Sequence, residues 1–445
     1  MGGILDGQAF VFPVRLCLNP VIPVFQYSII PIEPVGYPGL EWQFLAEQNM
    51  ENHPVMATQK YFDWSRDFQD RVLARRVPIS GSIELTQRCN LNCIHCYNNL
   101  PAGDRKARQR ELTYEEHCRI IDEITAAGCL WTLFTGGEML IREDFLDIYT
   151  YAKEKGLLVT LFTNGTLLTS SIADYLADWR PFSAEISLYG RTKETYERVT
   201  RVPGSYERCM QGIRLLMERG LPLILKTMVM SLNKHELWDL KRFVEKELKL
   251  EFKYDAVLNP RIDCSKAPLS VRLSSQDVVA LDLKDQKRQR EWRRFCEYFD
   301  GPFHKRHQTD RLYQCGGGRT GFAVDPYGKL SLCLLWPGES YDLRSGSFQE
   351  GWEKFLFEMS QQKITQKTKC VTCELRNMCD TCPATAELES GHAEAPVDFL
   401  CEVAHLRAYA LGLDVAPHGD CEYCKGGEKY EEIMQKVATL LNKRE

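Results

Sequence analysis

The sequence predicts an α/β fold in which a parallel sheet with crossover helices precedes a small cysteine-rich domain. Three observations carry that expectation. From residue 80 onward, six short apolar runs alternate with helical patterns, and such alternation implies parallel strands joined by helices. The 445 residues are 44% hydrophobic and 26% charged, ordinary values for a soluble chain long enough to hold two or three cored domains. The 18 cysteines fall in tight C-x₂-C groups rather than evenly, which reads as metal binding in a reducing cytoplasm and not as a disulfide scaffold.

Taken in order, residues 1–58 form an extension interrupted by six prolines between Pro13 and Pro38. No uninterrupted run of about 20 apolar residues occurs there, so a membrane span is not expected, and no basic leader with a small-residue cleavage site is present. The extension is expected to be poorly ordered, or to precede a true start at Met50 or Met56. Residues 59–77 have the pattern of an amphipathic lead-in helix, with Phe62, Phe68, Val72 and Leu73 apolar. Strands are expected at 82–86, 131–135, 157–163, 184–188, 223–230 and 252–258. Helices are expected near 113–127, 142–155, 169–178, 205–219 and 233–248. The first opens on a capping-box signature, Thr113-x-x-Glu116, and closes at Gly128. Residues 261–314 read as a linker and helical bridge, whose charge run KDQKRQREWRR suits a solvated helix face. Residues 315–412 are the cysteine-rich domain, and 413–445 form a tail with Cys421-x₂-Cys424 and a terminal helix.

The strongest chemical signal is Cys89-Asn90-Leu91-Asn92-Cys93-Ile94-His95-Cys96-Tyr97, directly after the first strand. Three thiolates on one loop can hold three irons of a cubane cluster and leave the fourth iron open to a small molecule. A zinc site is the competing reading, but zinc normally takes four protein ligands. His95, the nearest fourth donor, sits inside the loop between two ligands, where reaching the same metal is awkward.

This array resembles the cluster motif of the radical S-adenosylmethionine (SAM) superfamily, with Tyr97 as the aromatic residue that follows the last cysteine. The later cysteines resemble the SPASM subgroup of that family, and the likeness covers roughly residues 78–412. It implies a partial (β/α)₆ TIM-like barrel over residues 59–260 and then a SPASM auxiliary-cluster domain. It implies SAM as cofactor, one SAM-binding 4Fe–4S cluster on Cys89, Cys93 and Cys96, and two auxiliary 4Fe–4S clusters. Barrel sites lie at the C-terminal ends of strands, where the cluster loop stands. The second strand ends in Thr135-Gly136-Gly137-Glu138. Glycines let backbone carbonyls approach an ammonium group and a carboxylate takes its charge; alone such a turn is a weak signal. By the resemblance, Gly136, Gly137 and Glu138 would hold the SAM amine, while Thr163 and Asn164 border the site. Ser187 and Arg198 would hold the ribose or the methionine carboxylate, with Arg201 competing for the role of Arg198.

In the second region Cys315 is followed by Gly328-x₄-Cys333, then Cys370-x₂-Cys373-x₅-Cys379-x₂-Cys382, then Cys401. The resemblance implies one auxiliary cluster on Cys370, Cys373, Cys379 and Cys401. It implies a second on Cys315, Cys333 and Cys382, with Cys296 or an open iron as the fourth position. One departure is visible: the family usually places three residues, not two, between the last two cysteines of the middle group. The alternative is a zinc ribbon, which would use four cysteines and leave three unexplained. Cys421 and Cys424 lie beyond the likeness and could complete a site, bind zinc or form a redox pair.

The function implied is reductive cleavage of SAM to methionine and a 5′-deoxyadenosyl radical, which abstracts hydrogen from a peptide or protein substrate during crosslinking, oxidation or related maturation. A small molecule or tetrapyrrole is the alternative substrate, and a non-catalytic iron–sulfur electron carrier is the alternative of another class. A flavodoxin or ferredoxin reductant is expected, and a separate leader-binding protein is plausible. The net charge of −5 gives no basic field, so neither nucleic acid nor membrane is an expected partner.

Overall fold

The computed structural model describes residues 61–98, 100–299, 310–379 and 381–442. The extension 1–58, with Cys17, Met50 and Met56, lies outside the described residues. Helix α1 (Tyr61–Ala74) leads into strand β1 (Ser80–Thr86), and the expected alternation follows: α2 (Tyr114–Ala126), β2 (Trp131–Gly136), α3 (Phe145–Glu154), β3 (Leu158–Thr163), α4 (Ser170–Asp178) and β4 (Ser183–Ser187). Then come α5 (Lys193–Thr200), α6 (Ser205–Glu218), β5 (Leu223–Met228), α7 (Leu237–Arg242) and β6 (Glu251–Asp255). The capping box at the start of α2 forms on both sides, with Glu116 N donating to Thr113 Oγ1 at 3.2 Å and Thr113 N to Glu116 Oε2 at 2.8 Å.

Strands β1 to β6 lie in sequence order and pair parallel throughout. The sheet does not stop there. Strand β7 (Gly321–Val324), from the cysteine-rich region, pairs parallel on the free side of β1, and β8 (Lys329–Ser331) and β9 (Tyr341–Asp342) extend it antiparallel. The cysteine-rich region is thus built into the sheet of the barrel. No described helix is long and apolar enough to cross a membrane.

Register shows why the two sheet faces differ. Ile83, Phe134, Leu161 and Leu225 point outward to the helices and are at most 1% exposed. Each contributes about 1.5–3 kcal/mol by leaving water. The opposite face carries Glu84, Thr135, Phe162 and Glu185 in register across β1–β4, with Ser187, Lys226 and Lys253 in register across β4–β6. Parallel sheets are ordinarily apolar on both faces. A face that buries Glu84, Glu185 and Lys226 therefore marks the interior as a chamber for polar chemistry.

Two expectations from the sequence are refined. Helix α5 is absent from the sequence-derived pattern because it spans only two turns, opened by a Thr192 side-chain cap. The charged stretch after residue 274 is two helices, α8 (Ser275–Lys284) and α9 (Gln286–Phe299), broken where Asp285 caps the backbone of Lys287 and Arg288. Its charges are not all solvated: Asp282, 2% exposed, bonds Arg288 at 2.8 Å and Arg407 at 2.8 Å. The chain closes with α10 (Pro383–Ser390), α11 (Asp398–Ala410) and α12 (Tyr430–Asn442).

Candidate functional site

A bulge between Glu84 and Thr86 at the end of β1 turns the chain out of the sheet into the three-cysteine loop. The loop is fastened on three sides. Asn92 N and Ile94 N donate to the carbonyls of Thr200 and Val199 at the end of α5. Tyr97 Oη and Asn98 Nδ2 both donate to Glu84 Oε1 at 2.6 Å. Asn164 Nδ2, at the end of β3, reaches Asn90 Oδ1 at 2.9 Å and Cys89 Sγ at 3.7 Å.

The structure places Cys89, Cys93 and Cys96 close enough that each thiolate would repel the others. Burial pushes the Cys89 thiol up to about 12 and the Cys93 thiol well above its ordinary range. Three thiols crowded where lone thiolates are disfavoured form a donor set suited to a cationic metal centre. His95 is not part of that set. Its ring packs edge-on against Tyr189 at 4.7 Å, and burial lowers its pKa to about 4, so it stays neutral.

Gly136 and Gly137 are required by close approach. Gly136 has φ +123°, and a Cβ there would fall 2.1 Å from the Thr86 carbonyl oxygen; at Gly137 it would fall 2.2 Å from that of Arg88. The turn bonds back to the root of the cluster loop, with Gly137 N donating to Thr86 O at 2.7 Å and Glu138 N to Arg88 O at 2.9 Å. Glu138 is fully buried and accepts from Thr163 Oγ1 at 2.8 Å and Asn164 N at 2.7 Å. Burial raises its pKa to about 7. Glu138, Thr163, Asn164 and the cluster loop are therefore one assembly.

Ser187 ends β4 near the Tyr189 hydroxyl, whose pKa is raised by burial and by the three nearby thiols. Arg198 points outward and is exposed. Arg201, also exposed, adopts φ +57° at the end of α5, and its charge favours the Cys93 thiolate. Farther inside, Lys226 Nζ lies 3.4 Å and Lys253 Nζ 3.2 Å from Glu185, two cations for one carboxylate. Burial lowers Lys226 to about 7.

The later cysteines gather behind the barrel. Cys370, Cys373, Cys379, Cys382 and Cys401 line one cleft, and the Cys370 and Cys401 thiols are close enough to perturb each other's ionisation. Burial raises the Tyr313 pKa, and Cys333, Cys382 and Cys315 add to it; Cys382 also lines the cleft. The Cys296 side chain lies outside the described residues.

Two sets of residues escaped the sequence reading. Arg88, Glu111 and Arg142 form a buried ion network beneath the cluster loop, invisible because its members are scattered single charges. His405 and His418 join Cys421 and Cys424; the spacing His418-x₂-Cys421-x₂-Cys424 was a usable signal.

The sequence model of the radical SAM superfamily matches residues 83–244. The chain is 30% identical over 332 residues to an AdoMet-dependent heme synthase of Methanosarcina barkeri, covering 69% of this chain and 92% of that protein. It is 33% identical over 173 residues to a PqqA peptide cyclase of Ruegeria pomeroyi, covering 39% of this chain and 45% of that one. Among solved structures it is similar to Streptococcus suis SuiB bound to the precursor peptide SuiA, with a TM-score of 0.58 and 17% identity over 79% of this chain and 83% of the other. At that identity the likeness is one of fold.

Proposed function

The chain belongs to the radical SAM superfamily, and from that premise we propose that it cleaves SAM reductively and directs the resulting 5′-deoxyadenosyl radical at a carbon of a peptide or protein substrate. The observation that carries this reading is the assembly of Cys89, Cys93 and Cys96 with Glu138 and Asn164 at the C-terminal ends of β1–β3. When bound, a 4Fe–4S cluster supplies the single electron that breaks the sulfonium C–S bond.

The chain's own residues then have distinct tasks. Glu138, buried and charge-ready near pH 7, receives the methionine ammonium. Asn164 fixes the loop at Cys89 and, with Thr163, holds the Glu138 carboxylate. Gly136 and Gly137 let the turn lie against the loop root. Ser187, with Arg198 or Arg201, is assigned the remaining polar groups of SAM, and Tyr97 locks the loop to Glu84. The chamber walls exclude water and position the substrate carbon.

A peptide substrate is supported by the peptide cyclase relative and by the precursor-peptide complex of SuiB. The cleft lined by five cysteines supports auxiliary clusters behind the chamber. A tetrapyrrole is the second reading. It is favoured by the long match to a heme synthase and by Lys226 and Lys253, which could pair with an acidic substituent.

The test uses anaerobically reconstituted enzyme with SAM and dithionite. Release of 5′-deoxyadenosine, abolished in Cys93→Ala, establishes the core chemistry; its absence in the wild type removes the proposal. Precursor-type peptides and iron coproporphyrin III are then compared as stimulants of 5′-deoxyadenosine release with a matching mass change. A porphyrin consumed in step with 5′-deoxyadenosine, with every peptide unchanged, would overturn the peptide assignment.

A further inference from the structure

We propose that His405, His418, Cys421 and Cys424 form a closed, mononuclear zinc site, separate from the iron–sulfur positions, that pins the C-terminal segment to α11. His405 comes from α11 and the other three from the turn that precedes α12. All four are buried, between 2% and 6% exposed. One ligand atom from each lies within 4.8 Å of all the others.

The spacing is that of a single ion. Zinc bonds of about 2.3 Å to sulfur and about 2.0–2.1 Å to nitrogen, set at tetrahedral angles, put sulfur and nitrogen about 3.6 Å apart. His405 Nε2 lies 3.4 Å from Cys421 Sγ and 3.6 Å from Cys424 Sγ, and His418 Nδ1 lies 3.3 Å from Cys424 Sγ. A cubane, several ångströms across, would hold its ligand atoms farther apart.

His405 is also oriented as a metal-bound histidine is. Its Nδ1 stands 2.8 Å from the Cys401 carbonyl oxygen; donating its proton there leaves the Nε2 lone pair facing the two sulfurs. The two imidazole rings stack at 5.6 Å, which brings His418 to the same point. Charge agrees as well: two thiolates neutralise a divalent cation, so the site can be buried, whereas a single thiolate without a cation could not. Four protein ligands of mixed sulfur and nitrogen with no open position are the pattern of a structural zinc site rather than a catalytic one.

The experiment is zinc and iron analysis of the anaerobically purified full chain, with zinc K-edge absorption spectroscopy. One zinc per chain is expected, with a shell of two sulfurs and two nitrogens. Cys421→Ser/Cys424→Ser should lose that zinc and keep its iron, while Cys373→Ser, which alters a thiol beside His418, should keep it. The proposal is overturned by a zinc-free chain, by a sulfur-only zinc shell, by iron that falls with the double variant, or by a Cys421–Cys424 disulfide in the alkylated mass. If the double variant does not fold, the metal content and shell of the wild type decide alone.

Discussion

Glu111→Gln offers the sharpest test of how the cluster loop is supported. Glu111 sits between two buried guanidinium groups, with side-chain exposures of 4% for Glu111 and 6% for both Arg88 and Arg142. Arg88 binds it through two bonds of 2.8 and 2.9 Å; Arg142 approaches at 3.5 Å. The losses differ. Arg142 keeps Asp144 and the carbonyls of Leu85 and Leu112, whereas Arg88 keeps one bond, to the Ala102 carbonyl at 3.2 Å. Removing the shared carboxylate therefore strands one buried cation, which costs about 3–5 kcal/mol. For a folding unit the size of the barrel, each kcal/mol is worth roughly 2–4 °C, so a fall of about 10 °C in the apparent midpoint is expected. Arg88→Met in the Glu111→Gln background removes the stranded charge, and the double variant should recover most of the loss. The assay is thermal unfolding of all three variants under anaerobic conditions, with 5′-deoxyadenosine release as a second reading, because the carbonyl of Arg88 also holds Glu138 N. A shift below about 2 °C in Glu111→Gln, or strictly additive effects in the double variant, would refute the argument.

Gly137→Ala should displace the cluster loop, because its Cβ meets backbone oxygens that cannot move aside; about 1–3 kcal/mol of stability and nearly all 5′-deoxyadenosine release should be lost, and a fully active variant would contradict the close-approach account. Glu138 binds an ammonium only when ionised, and with its pKa near 7 it is about one-eleventh ionised at pH 6 and ten-elevenths at pH 8, so the Kd for SAM should be about tenfold weaker at pH 6. Calorimetric titration should show this dependence flattened in Glu138→Gln. The same raised pKa means that the folded state keeps a proton that the unfolded state gives up between about pH 4.5 and 7, so this group's contribution to stability falls across that window and is flat above it. Asp282→Asn should cost about 3–5 kcal/mol by leaving Arg407 with half its pairing. Asp282 is held below the ordinary carboxylate range by Arg407 and Arg288 against the pull of burial; its stabilisation is therefore present above about pH 4 and lost below, and the variant's midpoint should lose that acid dependence.

What the sequence disclosed follows from how local each signal is. Each strand and helix of the alternation, the capping box at Thr113 and Glu116 and the three-cysteine loop is written in a short stretch of consecutive residues; the six strands stand in the expected order, with shifted ends at β5 and β6 and the added helix α5. The placement of β7 beside β1 is not local: 241 residues separate the partners of each pair from Ser80–Gly321 to Ile83–Val324, and no periodicity reports such a neighbour. The local backbone at Arg201 was hidden as well. Arg201 stands in a left-handed turn that ends α5, and a non-glycine residue in that conformation leaves no mark in composition. The polar face of the barrel lay in the alternation of Glu84, Glu185 and Lys226 with apolar neighbours, but alternation alone does not say which face is enclosed.

The chamber and the cysteine cleft are joined by directional contacts rather than by apolar packing alone. Tyr254, on the last barrel strand, donates to Asp285 at 3.1 Å and accepts from Arg288 through its carbonyl at 3.1 Å. Arg288 bonds Asp282, Asp282 bonds Arg407, and Arg407 donates to the Met378 carbonyl at 2.9 Å, one residue from Cys379. Arg407 also lies over the Trp292 ring at 4.1 Å. The same helix presents Cys401 to the cleft and His405 to the two sulfurs beyond it. A rotation of α11 by one residue would break all three engagements at once, whereas an apolar helix face could slide at little cost. Buried ion pairs are weak instruments of net stability, since well-packed apolar residues often do as well. Their value here lies in register: they fix where Cys379 and Cys401 stand relative to β6, and so how far the cysteine cleft lies from the polar chamber.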